Sequence, residues 1–316
     1  MVQLGDLTDR GPDSLKAIRL LQSLARQAEK VGGQVNVLIG NHESMNVIGD
    51  LRYVHPGEYK AFKDSGSKAR RDAYYERTKS AEKTAASGQE EAPVFDREHR
   101  KAFDARFPLG YVNHRLAWQP NGELGKWVLQ NSAILVDDGN LYAHGGVSPN
   151  YSSKSVSEIN TRVRTDLVDP DILLDQTSIL QDDDGPLWYR GWINLPETAE
   201  NHAKLDAVLS AFNAKRMIVA HTPALPTVLP RFDGKVLMVD VGIAEHYGSG
   251  TGVLELINGD PFVRHGDTLT AIPQDSDQVV DYLEKVSSLL DSPTRITSFI
   301  EKLKKSEQAA AKAVSN

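Results

Sequence analysis

The order of apolar segments in the first 41 residues constrains the fold more than any other feature. A short apolar segment at residues 2–4 is followed by residues 13–33, where leucine and isoleucine recur at the spacing of an amphipathic helix. Residues 34–40 (QVNVLIG) then have the composition of a buried strand. A strand, a helix and a second strand predict an α/β fold with a mostly parallel sheet covered by helices.

The second half of the chain is richer in predicted strands. Asp-Gly and Asn-Gly turns join apolar runs into two hairpins, and single strands lie between the hairpins. These four predicted segments are 132–146, 216–223, 235–242 and 252–266. After residue 272 the pattern changes to two polar helices. We therefore divide the chain into a domain at 1–272 and a C-terminal helical extension at 273–316.

Residues 51–125 differ in composition from the rest of the domain. They are rich in charged residues and alanine and contain few large aliphatic side chains. This composition predicts a helical insertion with a mobile, solvated tip near residues 65–93. We interpret it as a surface insertion without chemistry of its own.

Composition excludes several classes of site and protein. The 316 residues include no cysteine, which excludes disulfides, thiolate metal sites and cysteine nucleophiles. The net charge of −7 argues against a nucleic-acid-binding protein. No apolar run reaches the roughly 18 residues of a membrane span. These features fit a soluble enzyme with the cytoplasm as default location; any targeting segment would precede Met1, and the compartment and the oligomeric state stay open.

Four polar residues stand at or just after the ends of predicted strands: Asp6, Asn41, His144 and His221. In α/β folds the loops after strand ends converge on the functional site. A carboxylate, an amide oxygen and two imidazoles suit Mn, Fe or Zn better than Ca. Taken singly, each residue also has a structural interpretation, as a turn residue, a helix cap or a buried histidine.

The strings around these residues resemble one family. GDLTDRG at 5–11 resembles the Gly-Asp-x-x-Asp-Arg-Gly motif of metal-dependent phosphoprotein phosphatases, and GNHE at 40–43 matches their Gly-Asn-His-Glu motif. HGG at 144–146 and AHTP at 220–223 match their two histidine motifs. Four motifs in this order are highly specific. The strings GNHESMNVIGDLRYV, GELGKWV, YAHGGVSP and LWYRG resemble the Shewanella-like branch of this calcineurin-like metallophosphoesterase family.

The resemblance implies a fold and a metal centre. The fold is a central β-sandwich of mixed sheets flanked by helices, with the helical insertion inside it. Two divalent metals, Mn first and Fe or Zn as alternatives, would clamp a phosphate and share a bridging hydroxide that attacks phosphorus in line. Asp6 would bridge the two metals, and Asn41, His144 and His221 would complete the second metal.

The resemblance also implies the residues that handle the proton and the phosphate. His42 would be the general acid that protonates the leaving oxygen, and Asp9 would orient its charged imidazole. Arg10 would pair with phosphate oxygens, and Arg190 in PLWYRGW would be a second phosphate clamp. The alternative for Arg190 is an arginine that stacks on neighbouring aromatic rings. We interpret Glu43 as a support of its loop.

Two further features leave alternatives open. Arg52 and Tyr53 either line the pocket or pack beside it, and the sequence favours neither interpretation. The glycine-rich string YGSGTG at 247–252 is not a phosphate-binding Walker loop, since it has no lysine. We interpret it as a mobile loop on the substrate side.

One family motif has no counterpart in the sequence. The family carries Gly-Asp-x-His on a strand that precedes Gly5, so we expect the first strand and the terminal ligands of the first metal to be missing. The first-metal site would then be incomplete, and turnover by the chain as printed would be near zero. The sequence is then either a fragment or misplaced start of a phosphatase, or a one-metal phosphoprotein-binding or scaffold module. Retention of His42, Asp9 and Arg10 favours the first, since a binding module needs no acid.

The expected substrate is a phosphoprotein or phosphopeptide. Phosphotyrosine and phosphoserine or phosphothreonine both stay open, and the resemblance leans towards phosphotyrosine. A second enzymatic alternative is a hydrolase of dinucleoside polyphosphates. No nucleic-acid partner is expected.

Overall fold

The computed structural model describes residues 1–87, 93–175 and 177–314. These residues form twelve α-helices: α1 (Ser14–Glu29), α2 (Asn41–Ile48), α3 (Glu58–Ala61), α4 (Ser67–Ala85), α5 (Arg97–Arg106), α6 (Tyr111–Trp118), α7 (Glu123–Gln130), α8 (Val156–Val168), α9 (Gly191–Asn194), α10 (Ala199–Ala211), α11 (Val279–Ser287) and α12 (Thr294–Val314). They also form ten strands: β1 (Val2–Gln3), β2 (Asn36–Val37), β3 (Ile134–Asp137), β4 (Asn140–Ala143), β5 (Arg216–Val219), β6 (Leu229–Arg231), β7 (Val236–Met238), β8 (Val253–Ile257), β9 (Asp260–His265) and β10 (Thr268–Ala271). In the described ranges no helix has both the length and the apolar composition needed to cross a bilayer.

The chain divides into two compact units. The first unit contains residues 1–6, 35–41 and 131–314, and therefore all ten strands. The second unit contains Leu7–Gln34 and His42–Gln130 and is helical. The chain passes from the first unit to the second after Asp6 and after Asn41, and it returns to the first unit after Gln34 and after Gln130.

The first unit is built on three sheets. The largest has the order β3-β4-β5-β7-β6, in which β4, β5 and β7 run parallel and the two outer strands are antiparallel to their neighbours. Strands β1 and β2 form a parallel pair, and β8, β9 and β10 form an antiparallel sheet. A parallel bridge joins Leu38, just after β2, to Ser132, just before β3. The predicted mixed α/β architecture of sheets and flanking helices is confirmed.

Local turn chemistry accounts for the hairpins of the first unit. Asp138 and Gly139 both have positive φ, of 44° and 70°, which is the geometry of a tight turn between twisted strands. Asn258 and Gly259 repeat it between β8 and β9, with φ of 54° and 87°. Both hairpins were predicted from these pairs of residues.

The strand predicted at 34–40 is shorter than expected. Only Asn36–Val37 pair as β2, because the backbone then changes partner: the Leu38 N–H donates to Gln3, whereas the Ile39 N–H donates to Ser132. Strand β6 was not predicted, because Pro230 interrupts its pattern. It is an edge strand, where proline is tolerated.

Within the second unit, the segment at 51–125 packs largely through aromatic rings. Rings of the helices between α3 and α6 meet edge to face or tilted, with centroids about 5 Å apart, for example Tyr75 with Phe103 at 4.9 Å and Phe62 with His114 at 4.9 Å. Such pairs add to the stabilisation that burial gives. This explains how a segment with few aliphatic residues forms a core.

Most of the tip predicted at 65–93 is helical, in agreement with a helical insertion, and its mobility stays a prediction. Residues 67–85 form the continuous helix α4, whose Tyr75 is buried. Residues 88–92 of the predicted tip lie outside the described residues. Charged pairs along the exposed side of α4, such as Lys68 with Asp72 at 2.6 Å, explain why its sequence looks solvated.

Candidate metal and phosphate site

Four predicted site residues lie at the same edge of the sheets of the first unit. Ala143 of β4 is level with Val219 of β5, and Val219 is level with Met238 of β7. These parallel strands therefore end together; His144 directly follows β4, and His221 comes two residues after the end of β5. Parallel strands present their carboxyl ends at one edge, which is where α/β proteins bind ligands.

The atoms of these residues form a compact cluster around His144. The His144 Nδ1–H donates to the Leu4 carbonyl at 2.7 Å, because a carbonyl can only accept. Its Nε2 lies 3.0 Å from Asn41 Oδ1, 3.1 Å from His221 Nδ1 and 3.2 Å from Asp6 Oδ2. Ligand atoms of Asp6, His144 and His221 all lie within 4.8 Å of one another.

This arrangement fits a metal ion. With its proton on Nδ1, His144 turns an Nε2 lone pair towards a carboxylate oxygen, an amide oxygen and a second imidazole nitrogen. Converging lone pairs repel one another unless a cation lies among them. Mixed nitrogen and oxygen donors suit Mn, Fe or Zn. The Leu4 carbonyl fixes the tautomer of the histidine, as is usual for metal-binding imidazoles.

Backbone strain is concentrated at the predicted site. Asp6 and His221 have positive φ, of 55° and 66°, which side chains with a Cβ rarely adopt. Gly5 has φ of 94°, and a Cβ placed there would lie 2.4 Å from the Gly40 nitrogen. Glycine is therefore required where the chain segments carrying Asp6 and Asn41 pass each other.

The glycine after His144 brings a further segment to the site. The Gly145 N–H donates to Pro186 at 2.7 Å, and a Cβ on Gly145 would lie 2.8 Å from the Tyr189 nitrogen. This close approach places the Trp188 ring 5.6 Å from the His221 ring. The Arg190 guanidinium lies 5.9 Å from the Trp188 ring, so its position is compatible with a phosphate clamp and with a stacking arginine.

The second unit holds the predicted acid. His42 Nδ1 lies 2.6 Å from Asp9 Oδ2, and both residues are buried. The Asn46 amide donates to the other carboxylate oxygen of Asp9 at 3.1 Å and to the His42 carbonyl at 3.0 Å. The carboxylate can only accept, so it holds the proton on Nδ1. Asn46 was not predicted; it stands one helical turn after His42, on the same face of α2.

Tyr53 packs between two predicted residues. The Arg10 guanidinium lies 4.2 Å from the centre of the Tyr53 ring, and the His42 and Tyr53 rings are 5.0 Å apart. Arg10 has φ of 60°, and its N–H donates to the Tyr53 carbonyl at 3.3 Å. Arg52, in contrast, pairs with Asp50 at 2.5 Å and is exposed. Of the two residues left open by the sequence, only Tyr53 therefore contacts predicted site residues.

Glu43 supports the loop that carries Asp9, as its sequence position suggested. Its Oε1 accepts from the Leu7 N–H at 2.7 Å and from the Thr8 hydroxyl at 3.4 Å. The residue is almost completely buried, at 1% exposure. A buried carboxylate with such partners fixes backbone rather than taking part in chemistry.

Asp240 is a site residue that the sequence reasoning missed. It follows β7 at the same edge as His144 and His221, and its Oδ1 accepts from the Gly242 N–H at 3.1 Å. Burial raises the pKa of its carboxyl, and the negative charge of Asp6 acts in the same direction, against the Gly242 N–H and the charge of His144. The available signal was its position at the end of the apolar run VLMV at 236–239, within the strand segment predicted at 235–242.

Comparisons with known proteins agree with this geometry. The model of the calcineurin-like phosphoesterase family matches residues 1–225. The chain is 29% identical to an uncharacterised protein of Schizosaccharomyces pombe over 82% of its own length and 66% of that protein. It is 27% identical to Shewanella-like protein phosphatase 2 of Arabidopsis thaliana over 84% of its length and 67% of the relative. The chain therefore spans about two thirds of the length of these relatives.

The chain is also similar to solved structures of protein tyrosine phosphatases. A cold-active protein tyrosine phosphatase solved at 1.1 Å matches with a TM-score of 0.62 and 27% identity, over 86% of this chain and 67% of the other. A cold-active protein-tyrosine phosphatase of a psychrophilic Shewanella species matches with a TM-score of 0.61 and 26% identity, over 86% and 68%. With four motifs in order, converging metal donors and a family model that covers most of its length, the chain belongs to the calcineurin-like phosphoesterase family.

Proposed function

We propose that the protein is a metal-dependent phosphomonoesterase that acts on phosphoproteins. The observation that carries this proposal is the cluster around His144 Nε2, where lone pairs of Asp6, Asn41 and His221 converge. A structural histidine in a protein core needs one or two partners; a set of four metal donors is characteristic of a metal centre.

The residues present would hold a divalent ion, Mn first and Fe or Zn as alternatives. When bound, such ions activate water as a nucleophile and draw charge from phosphate oxygens. Asp6, Asn41, His144 and His221 are the proposed ligands. Asp6 would supply a carboxylate to the metal centre, and its negative charge would favour the binding of divalent ions.

Four other residues are proposed to deliver the proton and to bind the phosphate. Asp9 holds the proton of His42 on Nδ1, which leaves the Nε2–H of the charged imidazole to protonate the leaving oxygen. Arg10 and Arg190 are the proposed phosphate clamps. In sequence, the proposed ligand Asn41 directly precedes the proposed acid His42, and Asp9, which orients the acid, directly precedes the proposed clamp Arg10.

The proposed substrate is a protein that carries phosphotyrosine or phosphoserine and phosphothreonine. Two kinds of relative support it: the named Shewanella-like protein phosphatases and the solved protein tyrosine phosphatases.

The test combines metal stoichiometry with a substrate panel. Mn²⁺ binding and turnover are measured for the chain as printed and for an extended variant that carries an added N-terminal strand with the family's Gly-Asp-x-His motif. The panel contains 4-nitrophenyl phosphate, phosphotyrosine and phosphoserine peptides, and diadenosine tetraphosphate. His144→Asn is the site variant, and His99→Asn, in a helix of the second unit, is the matched control.

The outcomes separate the candidate functions. Turnover of phosphopeptides that needs Mn²⁺ and is lost in His144→Asn, but kept in His99→Asn, supports the proposal. Preference for diadenosine tetraphosphate would indicate the polyphosphate hydrolase instead. Phosphopeptide binding without turnover in both forms would indicate a binding module.

A further inference from the structure

A single arginine joins the C-terminal helix to two loops of the first unit. Arg295 lies in the first turn of α12, within the segment predicted to be a C-terminal extension. Its Nη2 group donates to the Pro223 carbonyl at 2.9 Å and to the Ala224 carbonyl at 2.8 Å. Its Nη1 group donates to the Tyr247 carbonyl at 3.0 Å.

The stability of helix α12 does not explain why an arginine occupies this position. A cation in the first turn lies at the positive end of the helix dipole, which is unfavourable. Within the described ranges no carboxylate forms an ion pair with the Arg295 guanidinium, although its positive charge acts on the Asp240 carboxyl from a longer distance. The planar fork of an arginine can instead donate in two directions at fixed angles, which is what carbonyls from two separate loops require.

Both loops leave the edge of the sheet at which the metal donors lie. Pro223 and Ala224 come two and three residues after His221, where the backbone turns tightly, with the Thr222 N–H donating to Ala220 at 2.7 Å. Tyr247 belongs to the loop after Asp240, which closes on itself through a Gly250 N–H bond to Gly242 at 3.0 Å.

The shape of the first loop matters because of His221. This residue has φ of 66°, a conformation that a histidine keeps only when surrounding contacts enforce it. The hydrogen bonds from Arg295 are fixed contacts directly downstream of it. If they are lost, the loop can relax, and the imidazole need no longer point at His144 Nε2.

From these contacts we infer that Arg295 is a positioning residue, which holds the loop after His221 and the loop around Tyr247 in the shape that the metal centre needs. The inference rests on the proposed metal site. It makes α12 a functional part of the site's scaffold, although no residue of α12 is a proposed ligand. Loss of the guanidinium would weaken metal binding at a distance, as loss of outer hydrogen-bond partners does in metalloproteins.

The experiment compares three variants of the full chain. Arg295→Gln removes the fork and the charge. Arg295→Lys keeps the charge but replaces the two-direction fork with a single ammonium group. Lys302→Gln is the matched control, since Lys302 is an exposed cation of α12 that lines the same open cleft of about 300 Å³ as Arg295. The dissociation constant of Mn²⁺ is measured by calorimetric titration with MnCl2, below the onset of thermal unfolding of each variant.

The expected result is a rise in the Mn²⁺ dissociation constant of about fivefold or more for Arg295→Gln, a smaller rise for Arg295→Lys and no change for Lys302→Gln. Equal dissociation constants for Arg295→Gln and the unaltered chain would overturn the inference. Should Arg295→Gln fail to fold, a rise for Arg295→Lys supports the inference, and an unchanged constant for it overturns the inference.

Hydrogen exchange of the metal-free proteins separates this inference from the proposed function. In the Arg295 variants, amides at 222–227 and 244–250 are expected to exchange faster than in the unaltered chain, whereas those of β4 and β5 are not. Unchanged exchange in both loops would refute the role of Arg295 in holding these loops, even if the protein binds metal. Absence of Mn²⁺ binding by the unaltered chain would instead refute the proposed metal site, while the exchange data still decide whether Arg295 holds the loops.

Discussion

The substitution Asp9→Asn tests the proposed acid most sharply. In the structure Asp9 Oδ2 accepts the His42 Nδ1 proton at 2.6 Å, and Oδ1 accepts from Asn46 at 3.1 Å. An asparagine cannot accept from both partners through one oxygen in this geometry. If its oxygen meets Asn46, its NH₂ group faces His42 Nδ1 and drives the proton to Nε2 of a neutral imidazole.

The size of the effect follows from the bond that is lost. A hydrogen bond to a charged group contributes about 1.5–3 kcal/mol. At about 1.4 kcal/mol per tenfold change in rate, its loss from the acid form corresponds to a roughly 10- to 150-fold fall in kcat. The upper end of this range reaches the ~10²–10⁴-fold contribution of general acids. The buried position of both residues places the expectation in the upper part of the range.

The assay compares two leaving groups in whichever form of the protein, as printed or extended, turns over faster. A phosphoserine peptide releases an alkoxide that needs a proton, whereas 4-nitrophenyl phosphate releases a stable phenolate. We therefore expect the full loss on the peptide and a several-fold smaller loss on the aryl ester, with unchanged Mn²⁺ affinity. Asp50→Asn, which removes a carboxylate paired with Arg52, is the control. Equal losses on both substrates would refute the assignment of His42 as the acid.

Three further predictions concern stability. Burial lowers the pKa of His114 to about 3, so between pH 6.5 and 3 the unfolded chain binds a proton that the folded chain does not. The free energy of unfolding should therefore decrease by about 2.5 kcal/mol when the pH is lowered from 7 to 4.5. In urea unfolding, His114→Phe should lack this contribution to the pH dependence. Glu43→Ala should cost about 1–3 kcal/mol in the same assay, because a buried N–H loses its acceptor, and a cost near zero would contradict the assigned role. Gly5→Ala should destabilise far more than Gly32→Ala, since a Cβ at Gly5 overlaps Gly40 whereas at Gly32 nothing lies within 4 Å; equal thermal midpoints would count against this.

Short-range patterns made much of the fold and of the site predictable. The Asp138–Gly139 and Asn258–Gly259 pairs give their turns locally, because φ is decided by the residues themselves. Asp6, Asn41, His144 and His221 were selected because each follows a strand, and the structure brings them together at one edge.

Features that depend on contacts distant in sequence were not predictable. Helix α4 looks unfolded in composition, yet Tyr75 packs against a ring that follows 28 positions later, Phe103. Arg295 contacts carbonyls more than 70 residues earlier in the chain, at Pro223 and Ala224, and nothing near it in sequence indicates that role.

The most direct measurement for the account as a whole is Mn²⁺ binding by the unaltered chain and by His144→Asn. We expect the unaltered chain to bind at least one Mn²⁺ per molecule. We also expect that His144→Asn, which removes the nitrogen at the centre of the cluster, weakens this binding at least about tenfold while the protein stays folded. Absence of binding by the unaltered chain, or equal affinity in the two proteins, would contradict the assignment of a metal centre to these residues.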